Sequence, residues 1–529
     1  MKLDLPLKRL RASFYTVVGM LLIAPGLGAE QAELVDLAKE VGLGDVLGYS
    51  KAISMVDVNG DGWEDLWDSN TNRVPQREDR PSPPRFYLSQ QDGTFKPHDL
   101  GIDPADLEFT WGAAWADFDN DGDPDLLLGS GGFIGDGNLT LYENHWSETK
   151  KLVKLPAGIT TAKREWWGVS WGDYNNDGCL DFAAVARKGR ASIYRNNCDK
   201  TFTDVAEKLG VSVKFKDARN PVWFDFDNDG DQDLYLAAIR RHRLYRNDRD
   251  AGFADVTNEL GILKPADLVF AATSVDFNHD GNLDLYLGRQ ALPDQVAFGA
   301  GDGTFSVVGP EIGIVTKTHP DISENTMGLG VGDVDNDGYI DILIGTGGPS
   351  ESYQDLVFCN RPKPESPFGI EFYSCNDFAK AHGRTQVHGI AVGDLNQDGS
   401  NDVVFNIGGS PLFDFMNGTD SRGTNTFYTR KGGNPQTAQF RLEGVKSNRD
   451  AIGARIRVTV PRKEKPAKIF HYSVRSAEGF QSQNSSWRLI NLMGSEQAEI
   501  EVRWPSGVVS QHAIQVGARV TFQEPVPAP

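Results

Sequence analysis

Residues Asp117-Phe-Asp-Asn-Asp-Gly-Asp-Pro-Asp125 place five aspartates within nine positions, and the apolar run Leu126-Leu-Leu128 follows at once. The same pattern, Asp-x-Asp/Asn-x-Asp-Gly-x-x-Asp, recurs at Asp57–Asp65, Asp173–Asp181, Asp225–Asp233, Asp276–Asp284, Asp333–Asp341 and Asp394–Asp402. The first residues of the seven copies are 60, 56, 52, 51, 57 and 61 positions apart. One such match means little, but a near-constant period marks a repeating structural unit.

Each copy has similar neighbours. A short apolar segment precedes it, as in Trp111-Gly-Ala-Ala-Trp115 or Gly330-Val-Gly332, and a β-rich run such as Leu234-Tyr-Leu236 or Val403-Val-Phe405 follows. Third and fourth segments are seen at Ile193-Tyr-Arg-Asn196 and Phe202-Thr-Asp-Val205. Four short strands per roughly 50 residues is the pattern of a propeller blade. The expected fold is all-β: a seven-bladed propeller over residues 30–443, then a small β-sandwich over 444–524 and a loose tail at 525–529. Two segments compete to complete the last blade: Leu34-Val-Asp-Leu-Ala-Lys-Glu-Val-Gly-Leu43, which resembles the tail of a repeat, and Phe440-Arg-Leu442.

The loops suit calcium, which takes six to eight oxygen ligands in flexible geometry. Positions 1, 5 and 9 are always Asp, position 3 is Asp or Asn, and position 6 is always Gly. Position 7 varies freely, as expected where a backbone carbonyl is the ligand. The expected ligand sets are Asp57, Asn59, Asp61, Trp63 and Asp65; Asp117, Asp119, Asp121, Asp123 and Asp125; Asp173, Asn175, Asp177, Cys179 and Asp181; and Asp225, Asp227, Asp229, Asp231 and Asp233. The remaining three are Asp276, Asn278, Asp280, Asn282 and Asp284; Asp333, Asp335, Asp337, Tyr339 and Asp341; and Asp394, Asn396, Asp398, Ser400 and Asp402. An EF-hand is excluded because position 12 is Leu128 in the second copy and Leu236 in the fourth, where a bidentate Glu would be needed. About one structural calcium ion per loop is expected, because unpaired carboxylates so close together repel one another.

The formal charge of −21, from 74 acidic and 53 basic side chains, argues against nucleic acid as a partner. Lys8, Arg9 and Arg11 followed by the apolar run Phe14 to Ile23 read as an export signal ending near Ala29. That run is too short to span a bilayer, so a secreted, periplasmic or cell-surface protein is expected.

With these loops the chain resembles the FG-GAP/VCBS repeat proteins, whose propellers are similar to the integrin α-chain head. Its C-terminal part resembles the ASPIC/UnbV domain at Asn448-Arg-Asp-Ala-Ile-Gly-Ala-Arg455, Val474-Arg-Ser476, Gly479-Phe-Gln-Ser-Gln483 and Val502-Arg-Trp-Pro-Ser-Gly507. It departs from the family pattern at Leu489-Ile-Asn-Leu-Met-Gly494. The two parts together are similar to the cartilage acidic protein family. The resemblance implies export and calcium binding and supplies no reaction.

Blade topology pairs Cys179 with Cys198 and Cys359 with Cys375, and export favours disulfides. Trp111, Trp115, Trp166, Trp167, Trp171 and Trp223 read as core between blades, with sugar stacking as the alternative. A basic sector opposite the loops, containing Arg187, Arg190, Arg240, Arg241 and Arg243 with Lys188, Lys163, Arg164, Lys214, Lys216 and Arg219 nearby, is a candidate surface for a glycan or protein partner. Asn138-Leu-Thr140, Asn417-Gly-Thr419 and Asn484-Ser-Ser486 fit the glycosylation sequon.

A binding or adhesion scaffold is the leading functional expectation, since no His-Glu-x-x-His, Gly-x-Ser-x-Gly or phosphate loop is present. The alternative is a lyase, dehydratase or hydrolase working on a sugar or small metabolite in the central channel, with His382, Arg384, His388 and Glu165 as candidates. Ligand charge tunes calcium affinity, and position 3 is Asp only in the even copies, at Asp119, Asp227 and Asp335. Calcium titration of single-loop variants should therefore rank the even loops tighter than the odd ones, and the reverse order would contradict this.

Overall fold

A computed structural model describes residues 34–70, 85–107, 110–131, 137–159, 164–211, 213–260, 268–290, 292–316, 326–347, 352–375, 384–409, 414, 420–480 and 482–526. The expected export signal, His382, Lys163 and the sequon at Asn417 lie outside these residues.

Among the described residues, seven antiparallel ladders of four strands each carry one copy of the aspartate motif. Their first strands are Ser50–Val56, Thr110–Ala116, Trp166–Gly172, Ala218–Phe224, Val269–Val275, Thr326–Gly332 and Val387–Gly393. Each is buried along almost its whole length, which fits its small, β-branched and aromatic composition. The motif forms the turn out of this strand, and its ninth-position aspartate opens the second strand, as Asp65 does for Asp65–Asn70. Each first strand lies against those of the sheets before and after it, and Val387–Gly393 returns to Ser50–Val56. The result is a closed β-propeller.

The first described strand closes the ring. Leu34–Asp36 pairs antiparallel with Thr426–Arg430 and becomes the fourth strand of the last sheet. Its competitor Phe440-Arg-Leu442 lies in Thr437–Glu443, which pairs with Arg488–Asn491 and Arg519–Gln523 of the C-terminal domain. The boundary expected at residue 443 thus falls after a strand that already belongs to the second domain. A propeller strand has to lie beside its own ladder, and the hydrophobic pattern alone does not reveal which sheet receives a strand. The three-stranded sheet faces a four-stranded one built from Arg455–Arg462, Lys465–Ser473, Gln497–Arg503 and Val509–Gln515. Ile456, Val458, Ile500 and Trp504 are buried in one apolar cluster that continues into the propeller at Phe270 and Leu329.

That continuity has a cause. The first strand of each sheet turns an open hydrogen-bonding edge toward the ring axis, and residues 476–480 and 482–486 of the C-terminal domain fill the axis with partners. Ser482–Gln483 adds a short parallel strand to Ser50–Val56. Gln483 accepts from the Trp115 N–H and donates to its carbonyl, both at 2.9 Å. Asn484 accepts from Val392 N–H at 2.9 Å and donates to the Val331 carbonyl at 2.7 Å. Ser482 Oγ accepts from Ile390 N–H, and Ser476 Oγ donates to the Trp171 carbonyl. Gly479 permits the approach, because a Cβ there would lie 1.9 Å from the Leu329 carbonyl oxygen.

Asn484 is therefore 7% exposed with its amide fully engaged, so this sequon is no acceptor in the folded protein. Asn484→Ala leaves a buried N–H and a buried carbonyl unpaired, and should cost about 2–4 kcal/mol. Asn138→Ala, on a half-buried loop, should change stability by less than about 0.5 kcal/mol. Denaturant unfolding of the two variants checks the difference.

Candidate functional site

Six of the seven motif loops share one hydrogen-bond plan: the position-1 carboxylate accepts the N–H groups of positions 5 and 6, as Asp117 does from Asp121 and Gly122 at 3.0 and 2.8 Å. In the fourth loop Asp225 accepts from Gly230 alone. The position-9 carboxylate ties the loop to its own sheet, with Asp125 accepting from Phe118 and Asn144 N–H groups. These bonds hold the backbone in a tight turn and leave side-chain oxygens converging within it.

In three loops, those with Asp at position 3, carboxylate oxygens of three aspartates lie within 4.8 Å of one another: Asp117, Asp119 and Asp125; Asp225, Asp227 and Asp229; Asp333, Asp335 and Asp341. In the other four, the position-3 amide donates to the position-5 carboxylate, at 3.0 Å for Asn59, 2.7 Å for Asn175, 3.1 Å for Asn278 and 3.3 Å for Asn396. Burial, reinforced by neighbouring carboxylates, pushes Asp117 and Asp65 up to about 8 and Asp233 up to about 9. Burial likewise pushes Asp173 and Asp225 up to about 6 and Asp394 up to about 7. Asp225 Oδ1 is buried without a hydrogen-bond donor, and the Lys200 ammonium sits 2.6 Å from Asp119 Oδ2. Crowded, buried oxygen donors drawn toward any available positive charge fit a hard divalent cation.

The C-terminal domain caps these loops and contributes positive charge to several. Arg441 lies 3.8 Å from Asp57, and Arg449 lies 3.5 Å from Asp117. Arg455 donates to the Gly281 carbonyl at 2.6 Å and draws the Asp225 carboxyl down against its burial. His471 lies 3.6 Å from Asp276 and exchanges hydrogen bonds with His279. Lys468 contacts Tyr339, and Gln439 donates to Asp394. Sequence reading missed this arrangement, because nothing in the spacing of Arg441, Arg449 and Arg455 links them to carboxylates hundreds of positions away.

At the other end of the axis, the residue six positions before each motif points inward: Lys51, Trp111, Trp167, Arg219, Phe270, Met327 and His388, all at most 9% exposed. Trp111 stacks on Trp167 at 4.2 Å, and the Arg219 guanidinium lies 4.2 Å from Trp167 and 4.4 Å from Phe270. The Lys51 ammonium lies 5.1 Å over Trp111 and 3.4 Å from His388 Nε2. The six tryptophans singled out in the sequence are thus core. Of the catalytic candidates, His388 belongs to this packed ring, while Glu165 is held in a bidentate pair with Arg187 at 2.5 and 2.7 Å. Arg384 is in the short strand Arg384–Thr385.

The basic sector divides into paired and exposed members. Arg219 is buried at the axis, Arg190 pairs with Glu207 and Arg243 with Asp255. Arg240 and Arg241 form the tip of a hairpin, both exposed and both at positive φ, 68° and 65°. Among the described residues neither has an acidic partner. Two non-glycine residues in this conformation are uncommon and carry strain. Both expected disulfides are present, Cys179–Cys198 tying the third aspartate loop to the next turn and Cys359–Cys375 joining neighbouring strands.

Residues 57–128, 180–236 and 225–287 match the FG-GAP-like repeat family, and residues 444–528 match the ASPIC and UnbV family. The chain carries FG-GAP-like repeats and a C-terminal ASPIC and UnbV domain. It is 26% identical over 191 residues to human cartilage acidic protein 1, covering 34% of this chain and 28% of that protein. The mouse protein is 27% identical over 208 residues, covering 37% and 31%. The FG-GAP-like chain thus spans less than a third of the length of these relatives. Similar solved structures include an Agrocybe aegerita lectin that recognises non-reducing terminal N-acetylglucosamine, at 17% identity and TM-score 0.42, covering 64% of this chain and 83% of that one. The BP39L lectin of Burkholderia pseudomallei has 10% identity and TM-score 0.45, covering 73% and 98%. No helix among the described residues is long and apolar enough to cross a membrane.

The raised carboxyls predict how the metal-stripped protein responds to pH. Between the unfolded value of about 3.9 and the folded values of about 6 to 9, the folded chain binds more protons than the unfolded one. Its stability therefore falls as pH rises through that window, and the metal-stripped protein should melt higher near pH 5.5 than near pH 8. Metal-loaded protein should lose this trend, because a bound cation keeps the carboxylates deprotonated. An identical pH trend with and without metal would contradict the assignment.

Proposed function

We propose that this chain is an exported, calcium-loaded binding scaffold that offers the face opposite its metal loops to an acidic glycan or to an acidic surface on a protein partner. The observation that carries this reading is the position of the C-terminal domain. It covers the metal-loop end and fills the axis, so a partner of the propeller meets the opposite end, where Arg240 and Arg241 stand exposed. Backbone strain at a surface tip persists when something else is gained by it, and an arginine pair held outward offers charge to an anionic surface.

About one calcium ion per loop supports the frame in this reading. The position 1, 3, 5 and 9 side chains would hold it, and its charge would offset the mutual repulsion of buried carboxylates. The two disulfides and the lack of a membrane-crossing helix among the described residues fit an extracellular setting.

Chromatography on immobilised sulfated polysaccharide in excess calcium tests the ligand face. The Arg240→Ser/Arg241→Ser protein should elute at clearly lower salt than the parent while melting within a few degrees of it. Unchanged elution would refute this face as the binding surface.

A further inference from the structure

Between the C-terminal domain and the loop ends of the first two sheets lies a cavity of about 170 Å³. A second, of about 440 Å³, opens toward the third and fourth sheets. Arg475 lines both. Its side chain is 11% exposed, and its Nε and Nη1 are buried without a hydrogen-bond partner. The nearest acid, Glu478 Oε1, is 3.8 Å from Nη2, beyond hydrogen-bond reach. Glu478 is committed elsewhere: Oε1 accepts from Arg488 at 3.1 Å and Oε2 from the Asn484 N–H at 3.1 Å. Two largely covered guanidinium groups, with side chains 11% and 18% exposed, thus face one carboxylate. The other arginines on the wall face acids, Arg441 near Asp57 and Arg449 near Asp117 and Glu443.

A guanidinium carries five N–H donors and no acceptor, so a buried one without hydrogen bonds costs stability until an acceptor arrives. The pairing that best fits its planar fork is a carboxylate. The wall also offers Met55, Ile452, Ile456 and Val474 to a short carbon chain. The cavity has room for on the order of ten waters, and hence for a small organic acid.

We propose that Arg475 anchors a short-chain organic carboxylate in the cavity between the ASPIC and UnbV domain and the first two propeller sheets. This site lies at the opposite end of the propeller from Arg240 and Arg241 and does not depend on the ligand face proposed above.

The test is thermal melting in fixed excess calcium, with acetate, butyrate, sulfate or chloride added at matched ionic strength. The parent protein should gain several degrees with carboxylate, more with butyrate than acetate, and little with sulfate or chloride. Arg475→Met should abolish the gain and, without carboxylate, melt no lower than the parent, since it removes an unbonded buried charge. Arg475→Lys, which keeps charge but not the fork, should retain a reduced gain. The proposal is overturned if carboxylates give the parent no gain beyond chloride, or if Arg475→Met shows the same gain. It is equally overturned if Arg475→Met is unfolded or strongly destabilised in carboxylate-free buffer, because the guanidinium would then be structural.

Discussion

A closed ring of sheets leaves an open strand edge along the axis of each sheet, and every peptide group on those edges needs a partner. Here the chain supplies the partners itself. Ser476, Ser482, Gln483 and Asn484 reach the first strands of four different sheets with side-chain groups that mimic backbone donors and acceptors, and Ser482–Gln483 pairs along the first strand of a fifth. The C-terminal domain is thus part of the propeller's hydrogen-bond network as well as a neighbour packed on its surface. The apolar cluster running from Phe270 through Phe480 to Trp504 is the consequence.

The same docking brings opposite charges together. Buried aspartates repel one another, and the aspartate-loop end is where the chain concentrates them. Arg441, Arg449 and Arg455 relieve part of that repulsion from outside the loops, while a divalent cation would relieve the rest from within. The two remedies act at different distances, so they add. Long-range arginines weaken the repulsion only modestly, whereas a cation inside the loop takes up the oxygen lone pairs directly. On the calcium reading, loop geometry and domain docking are linked, since a loop that splayed open would move the carboxylates that the arginines face.

Much of this architecture was legible in the sequence because propeller information is local. The period of the aspartate motif gave the sheets, and Cys179 and Cys198 could be paired from blade topology alone. The features missed were all non-local. Phe440 sits in a strand whose apolar residues Ala438, Phe440 and Leu442 alternate, and only its partners show which domain it joins. Asn484-Ser-Ser486 reads as a surface sequon until the axis is seen to need its amide. Arg219 looks like part of a basic rim, yet Trp167 and Phe270 take its guanidinium into the core. In each case a residue serves a partner at least 48 positions distant, which no periodicity encodes.

The most direct test of the account is hydrogen exchange at the amides of Trp115, Ile390 and Val392, measured with calcium and after its removal. These amides donate to Gln483, Ser482 and Asn484 and so report whether the C-terminal domain is seated in the axis. The account predicts strong protection with calcium and its loss, at all three positions together, when calcium is removed. Protection at these amides that is absent in both states, or identical in both, would contradict the coupling of loops, domain and axis.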